Sequence, residues 1–459
     1  MFRESILVVF LLLNLFAYLA MRQSVLYWVK TPERQRRTRN ILCVVLLLLN
    51  VPLALFFVRE VYWTLRQIPL PILKIFFYPA TAWLATILFF FLVGAPVALA
   101  WAIVRTLIFL GRLTGRIFVR LSKPAPPVEA PALLAAPAIS RRSFLAGSAG
   151  LCIPAIYGVA AYGTYGTLDD LDVSKEHEVP IPYLPRSLDG LTVVQLSDLH
   201  VGPYIRVQEL RRLVSVTNEL RPDLVVITGD ILDRSLGSLP DTVSGLADLQ
   251  APLGVFAVLG NHDISTDRYS FDDRHRGGVK IVEAIESVGI RTLRNEVIHL
   301  GSGQDRLALL GLDWPSYEGG GNFYNYQQIR TQRILRQLAE EAGPETPRVL
   351  LAHHPDTFTD VHPHGIGLTL AGHTHGGGQV ILADWGGIPV GIGMFRFKYL
   401  SGLYQERGLS LYVNRGIGFL GIPIRINCPP EISRFKLVSP REVSSPALPS
   451  SGNGDSKRT

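Results

Sequence analysis

The sequence predicts an all-α, membrane-crossing region followed by an α/β domain, and three observations carry that expectation. Apolar residues make up 48% of the 459 positions, and the excess lies before about residue 165. All eleven histidines lie between His177 and His375, so none falls in the apolar region. From about residue 175 onward, apolar β-type runs alternate with helical patterns, and several of these runs end in Asp, His or Asn. A chain of this length also exceeds one ordinary domain of roughly 100–200 residues.

Residues 1–123 form the first part. Crossing a bilayer core as helix takes about 20 apolar residues. Segments 5–21 (SILVVFLLLNLFAYLAM) and 41–58 (ILCVVLLLLNVPLALFFV) are near that length and carry no charge. The third stretch, from Ile75 to Leu110, is broken by Pro79, Pro96 and Arg105. It reads as one tilted span over 76–104, then a basic amphipathic helix to Lys123. Fully apolar runs of this length have no polar face to show water. A transporter or channel would need polar groups within the spans, and only Asn14, Asn50 and Arg105 qualify.

Residues 124–139 are a semi-rigid Pro/Ala linker. In 140–167, Arg141-Arg142 precede a moderately apolar stretch. This resembles a twin-arginine export signal, placed internally instead of at the N-terminus; the alternative is a fourth span. Export would engage the twin-arginine machinery, and Ala160-Ala161 offers a cleavage site. Leu151 before Cys152 argues against a lipoprotein signal.

The net charge of +7 does not indicate nucleic acid. Arg22, Lys30, Arg34, Arg36, Arg37 and Arg39 lie in the first loop, and Arg112, Arg116, Arg120, Lys123, Arg141 and Arg142 in the third. Basic clusters flanking spans are topology and headgroup signals, and no basic-aromatic recognition motif accompanies them. Heavier loops in the cytoplasm put the domain after residue 170 outside, on an inner or plasma membrane. With three cysteines, of which only Cys428 lies in that domain, no disulfide framework is possible there.

In the second part, residues 175–438, Leu191–Leu196 is a buried-strand run delivering Asp198 and His200. Asp223–Thr228 delivers Asp230, Gly254–Leu259 delivers Asn261, His262 and Asp263, Arg348–Ala352 delivers His353 and His354, and Ile366–Ala371 delivers His373 and His375. On an extended strand end, Asp198 and His200 point the same way because side chains repeat every two residues. Gln208–Leu220 and Asp241–Leu249 read as crossover helices. Polar ligands at successive strand tips give an open site at the carboxyl edge of a sheet. Singly, a Gly-Asp turn or a His-x-His is weak; five in order, each after a β-rich run, are not.

That block, over about residues 178–435, resembles the calcineurin-like metallophosphoesterase superfamily, and within it the membrane-associated or twin-arginine-exported bacterial phosphodiesterases. The resemblance implies a central β-sandwich flanked by helices. It implies one metal on Asp198, His200 and His375, a second on Asn261, His353 and His373, and Asp230 bridging. Carboxylate, amide and imidazole donors suit Mn²⁺, Fe or Zn²⁺. Two such ions, about 3.5–4 Å apart, acidify a bridging water and clamp phosphoryl oxygens for in-line attack. His262 then stabilises or protonates the leaving oxygen, oriented by Asp263. The family's His-x-Pro pattern selects His353 over His354. Gly376-Gly377-Gly378-Gln379 is one glycine longer than the form expected, which leaves the place of Gln379 open.

The remaining histidines (His177, His275, His299, His362, His364) have no motif context. The polar run Asp267–Arg276 reads as a loop at the site mouth, and Trp314, Tyr317, Phe323, Tyr324 and Tyr326 as a substrate wall or a plain lid. The expectation is a membrane-anchored hydrolase of phosphoesters, chiefly phosphodiesters, with lipid-linked esters among the candidate substrates. One alternative is a pyrophosphatase of a nucleotide-linked lipid precursor such as a UDP-diacylglucosamine; another is a non-catalytic metal-binding sensor or scaffold, which the full ligand set disfavours. Residues 439–459, rich in Ser and Pro, read as a disordered tail.

Overall fold

The computed structural model describes residues 2–56, 65–121, 147–148, 150–166, 170–233, 235–266, 276–303, 305–314, 323–385 and 388–440. The linker 124–139, Arg141-Arg142, residues 267–275, Tyr317 and the tail from 441 lie outside those residues. The chain divides into two compact units, Met1–Asp169 with Gly421–Ile426, and Asp170–Leu420 with Asn427–Thr459.

The first unit is helical: α1 (Phe2–Trp28), α2 (Pro32–Phe56), α3 (Leu70–Leu121) and α4 (Cys152–Tyr165). Windows Val9–Trp28, Pro32–Ala54 and Leu70–Gly94 are long and apolar enough to cross a membrane, and each overlaps a segment expected from the sequence. The third stretch differs from expectation: α3 runs unbroken for 52 residues, through Pro79 and Pro96, with no separate basic helix after a span. At 14 residues, α4 spans about 21 Å, less than a bilayer core of roughly 30 Å.

Phe10, Leu13 and Ala17 of α1, Leu53 of α2, Trp83 and Ile87 of α3 and Ile153 of α4 are buried together, with Ile422 against them. Ile424 is buried with Ala82 and Ala160. Polar groups within this cluster are paired: the Trp83 indole donates to Asn14 Oδ1 at 2.9 Å, Asn14 Nδ2 donates to the Phe10 carbonyl at 3.0 Å, and the Tyr157 hydroxyl donates to the Pro79 carbonyl at 3.3 Å. Outward, Leu11, Leu12, Leu47 and Leu48 are exposed, as side chains facing lipid would be.

The second unit is a two-sheet sandwich. Its strands are β1 (Asp172–Pro180), β2 (Thr192–Leu196), β3 (Leu224–Thr228), β4 (Val255–Val258), β5 (Ile290–Thr292), β6 (Glu296–Ser302), β7 (Asp305–Leu312), β8 (Arg348–Ala352), β9 (Leu368–Ala371), β10 (Ile381–Trp385), β11 (Ile388–Gly391), β12 (Gly402–Glu406), β13 (Leu409–Val413) and β14 (Glu431–Val438). One sheet has the order β1-β14-β2-β3-β4-β5, the other β12-β13-β9-β8-β7-β6, and β10-β11 form a separate hairpin. Strands β2, β3, β4 and β5 are mutually parallel, as are β7, β8, β9 and β13, so their carboxyl ends share an edge in each sheet.

Alternation decides which face each strand buries. Val193, Leu224, Val226, Phe256 and Val258 meet Leu309, Val349, Leu351, Leu368 and Leu370 between the sheets. The intervening residues Leu310, Leu350 and Ala371 pack outward with Leu335 and Leu338, on the helix Phe323–Ala342. The expected crossover helices are present as Val207–Glu219 and Leu239–Leu246.

Candidate metal centre

The site is built where β2, β3, β4, β8 and β9 end, and it departs there from strand geometry. Strand β2 stops at Leu196, and Asp198 and His200 have φ of 50° and 44°. They therefore converge through two left-handed residues, not through the two-residue period of an extended strand. Asp230 (52°), His373 (71°) and His375 (49°) are also left-handed, a region that costs a residue with a β-carbon roughly 1–2 kcal/mol. Glycines beside them give room. A β-carbon on Gly229, at φ 91°, would lie 2.6 Å from His353 Nδ1, and one on Gly260 would collide with the Asp230 carboxylate. The glycines of the Gly-Asp and Gly-Asn-His motifs are thus required by close approach.

Among the described residues three donor clusters result; one, His200 with Asp233 and His262, shares His200 with its neighbour, and the other two carry the expected ligands. Asp198, His200 and His375 offer ligand atoms within 4.8 Å of one another, and so do Asp230, His353 and His373. His200 Nε2 faces His375 Nε2 at 3.0 Å, and His375 Nε2 lies 3.3 Å from Asp198 Oδ1. In the second cluster His353 Nε2 lies 3.2 Å from Asp230 Oδ2 and 3.3 Å from His373 Nδ1. Asp230 Oδ2 is also 3.6 Å from His200 Nε2, so this carboxylate stands between the clusters. His353 Nδ1 donates to the Thr228 carbonyl at 2.7 Å, which aims Nε2 inward.

These residues fit divalent ions. Imidazole nitrogens facing one another beside carboxylates in a buried space are a cation's donor set. The buried Asn261 Oδ1 has no hydrogen-bond partner, an orphan that a metal ion would satisfy. The electrostatics agree. Burial would lower His353, yet the charges of Asp230 and Asp198 carry it up to about 9. Burial opposes Asp230 as well, and its histidine neighbours, His353 first, hold it well below the usual carboxylate range. Burial dominates at Asp198, which is raised, and at His373, which is lowered, with the nearby His353 and His354 adding to it.

His262 lies beside this pair of clusters, its ring 4.6 Å from that of His200, and its backbone N–H donates to Asp230 Oδ1 at 2.8 Å. Asp263 does not orient it. The Asp263 carboxylate accepts from the backbone N–H groups of Gly260 (2.9 Å), Ile231 (3.2 Å) and Leu232 (3.0 Å). Asn261–Ile264 is a helical turn, on which adjacent side chains do not face each other. The carboxylate at His262 Nδ1 is Asp233, at 3.5 Å, and it also lies 3.8 Å from His200 Nδ1. Burial would raise Asp233, but His200 and His262 draw it far down, so it is ionised beside both rings. Sequence reasoning missed Asp233; its signal was a second carboxylate three residues after Asp230.

His354 is not in either cluster. Its Nδ1 accepts from Asp356 N at 3.2 Å, and burial, then the charges of His353 and Arg396, push it down to about 4. Its ring stacks near His373 (4.8 Å), and Trp314 lies 5.2 Å from His373 and 5.7 Å from His354. Of the expected aromatic wall, Trp314 is thus placed at the site. Gln379 keeps a structural place: its Oε1 accepts from Leu420 N at 2.6 Å. In the glycine run that is one residue longer than expected, Gly378 sits at φ 97° in open space.

The family model for calcineurin-like phosphoesterases matches residues 191–377. YkuE of Bacillus subtilis, named an uncharacterized metallophosphoesterase, is 31% identical over 319 residues, covering 66% of this chain and 98% of its own length. The chain belongs to the calcineurin-like phosphoesterases. Membership implies a metal-dependent phosphoester hydrolase, and the clustered Asp and His donors are where its divalent metal ions would bind. A transmembrane protein with a metallophosphoesterase domain from Danio rerio is 32% identical over 300 residues, 63% of either chain, so this phosphoesterase spans less than two thirds of that relative. Among solved structures, a phosphopantetheinyl hydrolase from Mycobacterium tuberculosis is similar at a TM-score of 0.32 and 14% identity, over 51% of this chain and 91% of its own.

Proposed function

We propose that this phosphoesterase is a membrane-anchored, dinuclear hydrolase of phosphodiesters, with the catalytic unit on the extracytoplasmic side. The observation that carries the dinuclear reading is Asp230, whose carboxylate stands within 3.6 Å of His200 in one cluster and 3.2 Å of His353 in the other. Asp198, His200 and His375 would hold one ion; His353, His373 and the orphaned Asn261 Oδ1 the other, with Asp230 shared. When bound, such ions supply positive charge to the phosphoryl oxygens and acidify water.

The protein's own groups do the rest. Asp233 holds the Nδ1 edge of His262 and leaves Nε2 to give a proton to the departing oxygen. Asp263 ties the turn that carries His262 to the backbone after Asp230. Trp314 and His354 cover the His373 side and limit water there. Anchoring is supported by the three apolar helices and by the transmembrane relative, and the sidedness by the basic loops; a lipid-linked ester is the substrate such anchoring favours.

The test is hydrolysis of bis-p-nitrophenyl phosphate and p-nitrophenyl phosphate by the full chain, stripped of metal and reloaded with Mn²⁺, Fe²⁺ or Zn²⁺. Turnover that needs metal, prefers the diester and vanishes in Asp230→Asn is the expected result. Preference for the monoester would overturn the diester reading, and full metal occupancy without turnover on either ester would favour a sensor.

A further inference from the structure

The turn that follows β11 presents apolar side chains to solvent right beside the metal centre. Phe395 is 89% exposed, more than any other large apolar side chain among the described residues, those on the apolar helices included; Met394 beside it is 51% exposed. Leu382 on β10 (49%) and Leu420 (45%) are also exposed. They belong to connected pieces: β10 pairs with β11, and Leu420 N is held by Gln379, two residues before β10.

This turn is rooted on the site. Arg396 N and Phe397 N both donate to the Gly393 carbonyl at 2.9 Å, and a β-carbon on Gly393 would collide with Gly377, just after His375. Phe397 then stands 5.5 Å from the His373 ring and 6.2 Å from that of His354. The residues on either side of the tip, Gly393 and Phe397, thus both touch the segment that carries the site.

Basic groups flank the apolar tip. Exposed Arg396 lies over the Phe397 ring at 5.4 Å, and Lys398 reaches Glu406 at 3.7 Å and lies over the Tyr399 ring at 4.6 Å. Apolar side chains at a tip with cations behind them match the layering of an anionic bilayer, acyl chains below and phosphates above. The same chain carries helices that are apolar and long enough to cross such a bilayer, and in sequence Leu420 directly precedes Gly421–Ile426, which belongs to the helical unit.

We propose that the Met394–Phe395 tip, flanked by Leu382 and Leu420, inserts into the acyl boundary of an anionic bilayer, with Arg396 and Lys398 at the level of the lipid phosphates. The phosphoester that reaches His373 is then one carried in the headgroup layer of a lipid. This last step rests on the phosphoesterase reading above; the insertion does not.

The experiment uses the full chain in vesicles of phosphatidylcholine and phosphatidylglycerol. Cys43 and Cys152, the exposed cysteines, are replaced by Ser, and Cys428 is buried. A nitroxide is attached at Phe395→Cys and, as control, at Tyr183→Cys, a 63% exposed site away from the tip in sequence. Collisions with oxygen and with a water-soluble nickel complex report depth. The expected result is a label at 395 that oxygen reaches and nickel does not, with the reverse at 183. Equal nickel access at both sites would overturn the proposal. So would a label at 395 shielded from both reagents, which means that protein covers it. Depth is read without turnover, so insertion in a chain that fails to hydrolyse any phosphoester would sink the catalytic reading alone.

Discussion

Between the sheets, β8 and β9 alternate regularly, Val349 and Leu351 meeting the opposite sheet while Leu350 and Ala371 pack outward. At the carboxyl ends of β2, β3 and β9, Asp198, His200, Asp230, His373 and His375 all have positive φ, and close approach requires the glycines at 229 and 260. The interior is the part that stabilises; the edge stores strain and buried charge, which persist only because the surrounding sandwich holds them. Bound divalent cations would offset that buried charge. The difference teaches that stability and activity should separate by position, and substitutions on either side can test the separation.

The largest effect is expected at the edge. His262→Ala should lower kcat on the diester by about 10²–10⁴-fold with metal content per chain unchanged; loss of metal together with activity would place His262 among the ligands instead. In the interior, Leu351→Ala removes a fully buried side chain and should cost about 2–5 kcal/mol of unfolding free energy, with kcat per folded molecule unaltered. A change in kcat there would break the comparison.

Asp233 and Asp263 sharpen it within the edge itself. Asp233→Asn should reduce kcat by roughly 10–100-fold, the scale of losing an orienting partner, and also cost some stability, because His200 and His262 favour its ionised form in the fold. Asp263→Asn replaces one of the two oxygens that accept from Gly260, Ile231 and Leu232 with an NH2, so at least one backbone donor loses its acceptor, and Tm should fall more than kcat. The reverse pattern would restore Asp263 as the orienting group. The smallest effect concerns stored charge. Burial, the largest influence, raises Asp198, and the nearby Asp230 charge adds to it, so its ionised form opposes folding as pH rises above the ordinary carboxylate value. Asp198→Asn should then stabilise the metal-free chain at pH 7 by roughly 0.5–2 kcal/mol while weakening metal uptake; unfolding by denaturant with a chelator present measures it.

Strand interiors and strand tips also differed in how far the sequence disclosed them. The apolar runs of β2, β3, β4, β8 and β9 were legible within a residue or two because burial on both faces leaves an apolar stretch that ends where the ligands begin. The eight residues ending those runs were legible by type and spacing. The sheet order was not: β14 inserts between β1 and β2, a pairing across more than 200 residues that no local pattern records. Asp263 was assigned through the family resemblance, and Asp233 was passed over; a helical turn rotates Asp263 away from its neighbour His262. The left-handed φ at Asp198 and His200 was hidden as well, since neither residue type demands it. In the helical unit, proline and arginine within the third stretch suggested a break that α3 does not make.

The most direct test of the shared-carboxylate centre is a metal count by elemental analysis on the purified full chain, for wild type, His375→Ala and Asp230→Asn. The account predicts two ions per chain in the wild type, one in His375→Ala and fewer than one in Asp230→Asn. A wild type that saturates at a single ion, or an Asp230→Asn chain that still holds two, would contradict it.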